Sequence, residues 1–298
     1  MINPCFCCAR KCGTDRSSGK SFCGVNNKIR LARAALHHWE EPCISGTNGS
    51  GTIFFSGCNL RCIYCQNYNI SNGAEGIEIS VERLREIFFE LIAQGAHNIN
   101  FVTPSHFSDA ILQALENISL PVPIVFNTNG YDSVENLKRF ENKVQIYLPD
   151  LKYADNDIAE KFSHAPNYFE KACAAIDEMF RQRGPYNFDD DGMLTSGVVI
   201  RHLILPGHLE NSKKVIDYIS SRFKPGEVLF SLMRQYTPFG RIENFPELQS
   251  PLSDEEYNEI EEYLFASGIE DGFIQDKESA SESFIPPFNG EGVEKTIK

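Results

Sequence analysis

The chain has 298 residues with a formal charge of −13, 42% hydrophobic residues, 22 phenylalanines and ten cysteines. That charge argues against a nucleic-acid binder, which needs a basic stripe to neutralise phosphates. No run of roughly 18 uninterrupted apolar residues offers a membrane span. The start, "MINPCFCCARKC", has no apolar signal-peptide core. The cytoplasm is therefore the expected compartment, where cysteines are metal ligands or reactive thiols more often than disulfides.

Residues 1–46 hold six of the ten cysteines and little hydrophobic periodicity. They read as a cysteine-rich extension that depends on a metal for its order. From residue 47 to 275 the text alternates strands and helices. "TIFFS" (Thr52–Ser56) is the first expected strand, and "SVERLREIFFELIAQG" is a helix capped by Ser80 and closed by Gly95. Strand "NINFVT", helix "FSDAILQALENI", strand "PIVFNTN" and helix "SVENLKRFE" follow. Strand "VQIYLPD" precedes helical text from Asp155 to about Met179. Strand "GVVIRHLILPG", helix "NSKKVIDYISSRF" and strand "VLFSLM" complete six β-units. A last helix runs from Ser253 to Ala266, with Glu256 at the capping-box position. Residues 276–298 read as a polar tail with a few apolar anchors.

Strands separated by helices imply parallel pairing through right-handed crossovers. Polar residues gather at strand ends: Asn127 and Asn129, Asp150 and Lys152, and Arg201 beside His202. Each alone is an ordinary turn residue or cap. Repeated on several strands, they favour a partial (β/α)6 barrel with a site at its C-terminal face over a doubly wound sheet.

In "GCNLRCIYCQN", Cys58, Cys62 and Cys65 lie on one short loop directly after a strand. Three thiolates can hold three irons of a [4Fe–4S] cluster, leaving one iron open to an exogenous chelate. Zinc and buried free thiols are the alternatives. Zinc usually takes four ligands, commonly as two pairs, and no second pair lies just downstream. Spacing favours iron and sulfur.

This loop resembles the CxxxCxxC motif of radical S-adenosylmethionine (SAM) enzymes, in particular the branch of the pyruvate formate-lyase activating enzymes. "FNTNGY" is similar to that branch's TNG strand end, "YLPDLK" to its LDLK strand end, and "IRHLILPG" to its fifth-strand segment. The resemblance implies a cluster that binds SAM, takes up one electron and yields a 5′-deoxyadenosyl radical, which removes a hydrogen atom from a substrate. The activity implied is that of an oxidoreductase, with a glycyl radical enzyme as one candidate substrate. Carried over by position, Cys58, Cys62 and Cys65 are the cluster ligands. Tyr64 and Asn67 lie near adenine, Asp150 and Lys152 reach the SAM carboxylate and ribose, and Asn127 and Asn129 belong to the same cofactor face. Arg201 faces the substrate.

The departures are specific. Gln66 stands where a histidine often follows the third cysteine, and Thr237 where a sixth-strand histidine occurs. Asn127 replaces an aspartate that helps hold a cation. The glycine-rich stretch that meets the SAM amine is replaced by "FVTPSHF", so Thr103, Ser105 or backbone groups would take that role, with His106 a candidate substrate contact. A flavodoxin or ferredoxin is the electron donor that the resemblance implies.

Cys5, Cys8, Cys12 and Cys23, with gaps of two, three and ten residues, could enclose zinc or a second cluster. Cys7 and Cys43 are spare ligands. In "LHHWEEP", His37, His38, Glu40 and Glu41 could reach cluster or substrate, with Trp39 a packing anchor; a structural role is the commoner reading. The competing class is a non-catalytic iron–sulfur or zinc protein that senses redox state or assists assembly, which leaves the polar strand ends unexplained.

Overall fold

The computed structural model describes residues 4–17, 19–277 and 284–295. Strand β1 (Ile29–His37), helix α1 (Pro42–Ser45), β2 (Ser50–Phe55), α2 (Tyr68–Ser71), β3 (Ile77–Ile79) and α3 (Val81–Ala93) come first. They are followed by β4 (Ile99–Val102), α4 (Ser108–Ala114), β5 (Ile124–Thr128), α5 (Val134–Lys138), β6 (Ile146–Pro149), α6 (Asn156–Ser163) and α7 (Tyr168–Arg183). The remainder is β7 (Asn187–Phe188), β8 (Leu194–Leu203), α8 (Leu209–Arg222), β9 (Leu229–Met233), α9 (Asp254–Ala266) and β10 (Gly272–Ile274).

Strands β2, β4, β5, β6, β8, β9 and β10 are neighbours in that order, and all run parallel. The six expected β-units are all present. Phe54 on β2 and Phe273 on β10 line the same cavity, so the sheet is curled into an open barrel. Alternation sorts its faces. Phe101, Phe126, Tyr147 and Ile200 pack outward with helical residues such as Phe88 and Ile176. Val125, Leu148, Val199 and Leu229 point inward and meet Cys43 and Ile44 of α1.

β1 was not anticipated. It pairs antiparallel with β2, and β3 pairs antiparallel with β1. Its sequence, IRLARAALH, shows no alternation because most of the strand is covered on both faces. Part of the cysteine-rich extension, Ile29–His37, is thus continuous with the sheet. The helical text after Asp155 is two helices rather than one. His164 and Asn167 both adopt left-handed backbone at φ +51° and +53°, flanking Pro166, before which Ala165 is barred from helix. Ser80, Ser133 and Ser253 cap their helices, and Ser253 and Glu256 form the capping box.

Residues 284–295 return across β1. The Gly290 amide donates to the Ala32 carbonyl and the Ala34 amide to the Glu291 carbonyl, while Val293 is fully buried. Trp39 is not an internal anchor: it is 61% exposed and meets only the edge of Phe284 among aromatic rings of the described residues. Gly292 sits at φ +71°, and a Cβ there would lie 1.9 Å from the Ala34 carbonyl oxygen. Gly292→Ala should therefore destabilise the fold by about 1–3 kcal/mol, read as a lower urea midpoint with an unchanged m-value.

Candidate active site

The loop after β2 is held from three sides. Gly57 adopts φ +84°, and a Cβ there would approach the Cys23 carbonyl to 2.5 Å, so glycine alone lets that carbonyl accept from the Cys58 amide at 3.1 Å. The Ile63 carbonyl accepts from the Arg241 amide at 2.7 Å, and Gly240 leaves room for that approach. Gln66 donates to the Gln235 carbonyl and to Thr237 Oγ1, both at 2.9 Å. Two of the positions where the sequence departs from the activating-enzyme pattern, Gln66 and Thr237, are therefore hydrogen-bonded to each other.

Each sulfur of the loop has a polar neighbour. Cys62 Sγ accepts from Ser163 Oγ at 2.9 Å, and Cys65 Sγ from Ser71 Oγ at 3.3 Å. Cys58 Sγ accepts from the Leu60 amide and from Asn129 Nδ2, both at 3.4 Å. A chain of hydroxyls from Tyr64 through Tyr153 to Ser163 leads to Cys62. Burial first, then repulsion from Cys58 and Cys65, pushes the Cys62 thiol up to about 12, against the pull of Lys152. Among the described residues, no three His, Cys, Asp or Glu side chains converge as they stand on one metal position. The thiols are turned onto their hydrogen-bond partners instead. The donor set nonetheless suits an iron–sulfur cluster: three soft ligands on one loop, each supplied with a hydrogen bond of the kind that tunes cluster thiolates.

Beside this loop lies a cavity of about 940 Å³, whose lining includes Cys62, Cys65, Tyr64, Asn67, Asn127, Asp150, Lys152 and Arg201. Arg201 is its electrostatic centre. Its Nε donates to Asp150 Oδ1 at 2.9 Å, Nη1 to Glu40 Oε2 at 3.1 Å and Nη2 to Asn127 Oδ1 at 2.7 Å. Lys152 Nζ donates to Asp150 Oδ2 at 2.6 Å. Asn127 and Asn100 both donate to Glu40 Oε1, at 3.0 and 3.2 Å. Burial raises the Asp150 pKa, but Arg201 and Lys152 outweigh it and hold the carboxyl below its ordinary value. For Glu40, burial wins over Arg201, and the pKa is raised.

Not every expected site residue reaches this cavity. Asn129 ties the β5 end to the cysteine loop, donating to Asn59 Oδ1 at 2.7 Å as well as to Cys58. Thr103 and His106 do not line it. Thr103 has left-handed backbone at φ +57°, its amide tied to the Asn127 carbonyl. His106 is buried with Nε2 on the Ser56 carbonyl at 2.9 Å, and it borders a separate cavity of about 550 Å³ with Arg16. The expected substrate contact through His106 is corrected accordingly. His202 faces outward between the Leu151 carbonyl and Ser212, a core histidine whose pKa burial lowers to about 4. Cys43 is buried at the barrel base among apolar side chains, so it is no spare metal ligand. Glu40 and Glu41 line the cavity, although sequence favoured a structural role.

Two of the N-terminal cysteines reach the same loop: the Cys23 carbonyl accepts from the Cys58 amide, and the Cys8 thiol lies beside Asn59. Cys5 and Cys8 belong to a turn in which the Cys5 amide donates to Thr14 and Lys11 to Cys8. Cys23 and Cys8 are buried, and Cys12 is exposed. A hydrogen bond with Cys7 lowers the Cys5 thiol to about 5.

The radical SAM superfamily profile matches residues 52–219. The chain belongs to the radical SAM superfamily. This radical SAM chain is 28% identical over 274 residues to an uncharacterized protein of Methanocaldococcus jannaschii, covering 89% of its own length and 74% of that relative. It superimposes on a radical SAM methyltransferase from Sphaerobacter thermophilus with a TM-score of 0.51 at 14% identity. That match covers 76% of this chain and 66% of the methyltransferase, and it shows a shared fold. Membership implies a [4Fe–4S] cluster and SAM as cofactors. Among the described residues, no helix is long and apolar enough to cross a membrane.

Removing Arg201 would leave Glu40 buried and uncompensated. Arg201→Ala should cost about 3–5 kcal/mol in denaturant unfolding, and adding Glu40→Gln should restore part of that loss.

Proposed function

We propose that this radical SAM enzyme is an oxidoreductase that holds its cluster on Cys58, Cys62 and Cys65 and removes a hydrogen atom from a substrate in the cavity beside them. The observation that carries this reading is the shared wall: Cys62, Cys65, Asp150, Lys152 and Arg201 line one space. With cluster and SAM bound, the family's chemistry is reductive cleavage of SAM to a 5′-deoxyadenosyl radical, the cofactors supplying reactivity and the protein orientation.

The chain's own residues position and shield. Lys152 is held by Asp150 with its ammonium charged, its pKa raised by that carboxylate despite burial, and it is placed to meet the SAM carboxylate. Tyr64 and Asn67 border the space for adenine, with the Tyr64 hydroxyl turned onto Tyr153 and its ring towards Tyr236. Asn129 and Ser163 orient Cys58 and Cys62. The Arg201 network keeps the inner wall rigid and polar. A non-catalytic sensor has no use for such a chamber.

A flavodoxin or ferredoxin is the electron donor that fits this chemistry. The motif likeness to the activating enzymes makes a glycyl radical enzyme one class of substrate. Asn127, whose amide is committed to Glu40 and whose carbonyl oxygen accepts from Arg201, offers no carboxylate for a cation and favours a different substrate. Cys5, Cys8, Cys12 and Cys23, or Cys7 in place of the exposed Cys12, would hold a second metal, as zinc or a cluster.

Anaerobically reconstituted, reduced protein given SAM should form 5′-deoxyadenosine, and Cys62→Ala should form none. Lys152→Ala should keep its iron–sulfur absorbance and bind SAM about tenfold or more weakly, the cost of a charge-assisted hydrogen bond. Loss of the absorbance in Lys152→Ala would refute the placement of that residue.

A further inference from the structure

Because β1 runs against β2, its end lies at the start of the parallel strands, with His37 opposite Ser50. The loop that follows therefore enters the barrel from the end opposite the cysteine loop. The His97 amide donates to the Gly49 carbonyl and Asn98 Nδ2 to the Ile44 carbonyl, which pin this loop to the start of β4. Glu40 and Glu41 rise from it into the barrel and form the floor of the cavity.

The charges there do not balance. Arg201 pairs with Asp150 and Glu40, and Lys152 with Asp150. Glu41 is 8% exposed and lines the cavity, yet its Oε2 has no hydrogen-bond partner among the described residues. Burial raises the Glu41 pKa, and Arg201, the Glu41 amide and the Ser231 hydroxyl offset that only in part. Beneath Glu40, Asn100 Oδ1 also lacks a donor among the described residues, while its amide nitrogen donates to Glu40. A buried acceptor with no donor carries its full desolvation penalty, and a buried carboxylate more. Phe54, Val102, Leu203 and Met233 supply apolar wall in the same chamber.

From these features we infer that the substrate carries a primary ammonium group on an aliphatic stem, and that the ammonium is received by Glu41 Oε2. A single free oxygen suits a point cation, whereas a guanidinium seeks both oxygens of a carboxylate. The inference rests on the proposed radical SAM site, and Glu41 acts in it as a specificity-determining residue remote from the cysteine loop.

The test is titration of the reconstituted protein, with SAM present, by n-pentylamine, 1-pentanol and pentanoate, followed by calorimetry. Pentylamine should bind at least about tenfold more tightly than either isostere, and Glu41→Gln should abolish that preference. Equal binding of pentylamine and pentanol by the parent protein overturns the inference without need of the variant. An undiminished preference in folded Glu41→Gln overturns it as well. Displacement of pentylamine by the peptide acetyl-Ala-Lys-Ala-amide would assign the ammonium to a lysine side chain, and failure to displace would assign it to a free amine. Iron content and SAM affinity are measured on the same preparation. Their absence sinks the cofactor reading, whereas their presence without amine preference sinks this inference alone.

Discussion

A guanidinium inside a barrel must be neutralised and hydrogen-bonded on all sides, or the fold that encloses it does not form. Arg201 meets this demand through Asp150 at the end of β6, Asn127 on β5 and Glu40 on the floor loop. The requirement couples elements far apart in the chain. Strand register sets β5 beside β6, and the Asp150–Arg201 bridge extends the β6–β8 pairing to the strand ends. The antiparallel β1 delivers Glu40 from the opposite end. One buried cation thus ties the cysteine-rich front of the chain to its central strands.

The same geometry separates two chemistries within one chamber. The upper wall carries the cysteine loop, with sulfurs met by Ser163, Ser71 and Asn129. The floor carries Glu40 and Glu41, and Arg201 and Asp150 stand between. A cofactor that needs soft ligands and a substrate that needs a charged partner can then occupy one space without sharing contacts. The Gln66–Thr237 pair closes the side near the sixth strand by joining the cysteine loop to the segment after β9.

Much of this was legible in the sequence, and the gaps have physical causes. Six strands and most helices could be read from alternation, caps and turn residues, because those signals are local. β1 could not, since a strand covered on most of both faces loses its alternation. The break at His164–Asn167 depends on two non-glycine residues in left-handed backbone, which composition signals weakly. Within the site, Asp150, Lys152, Asn127 and Arg201 were found because they interrupt apolar strands. His106 was misplaced because a polar residue following a strand can turn away from the barrel, as its contact with the Ser56 carbonyl requires.

By itself the sequence determined the order of β-units, the three-thiol loop and the polar strand ends, all written in contiguous residues. Only the tertiary structure decided which of those residues meet. Glu40 reaches Arg201 across 161 positions, a contact set by the antiparallel entry of β1 and the curl of the sheet. Those depend on how whole strands pack, and no local pattern encodes them.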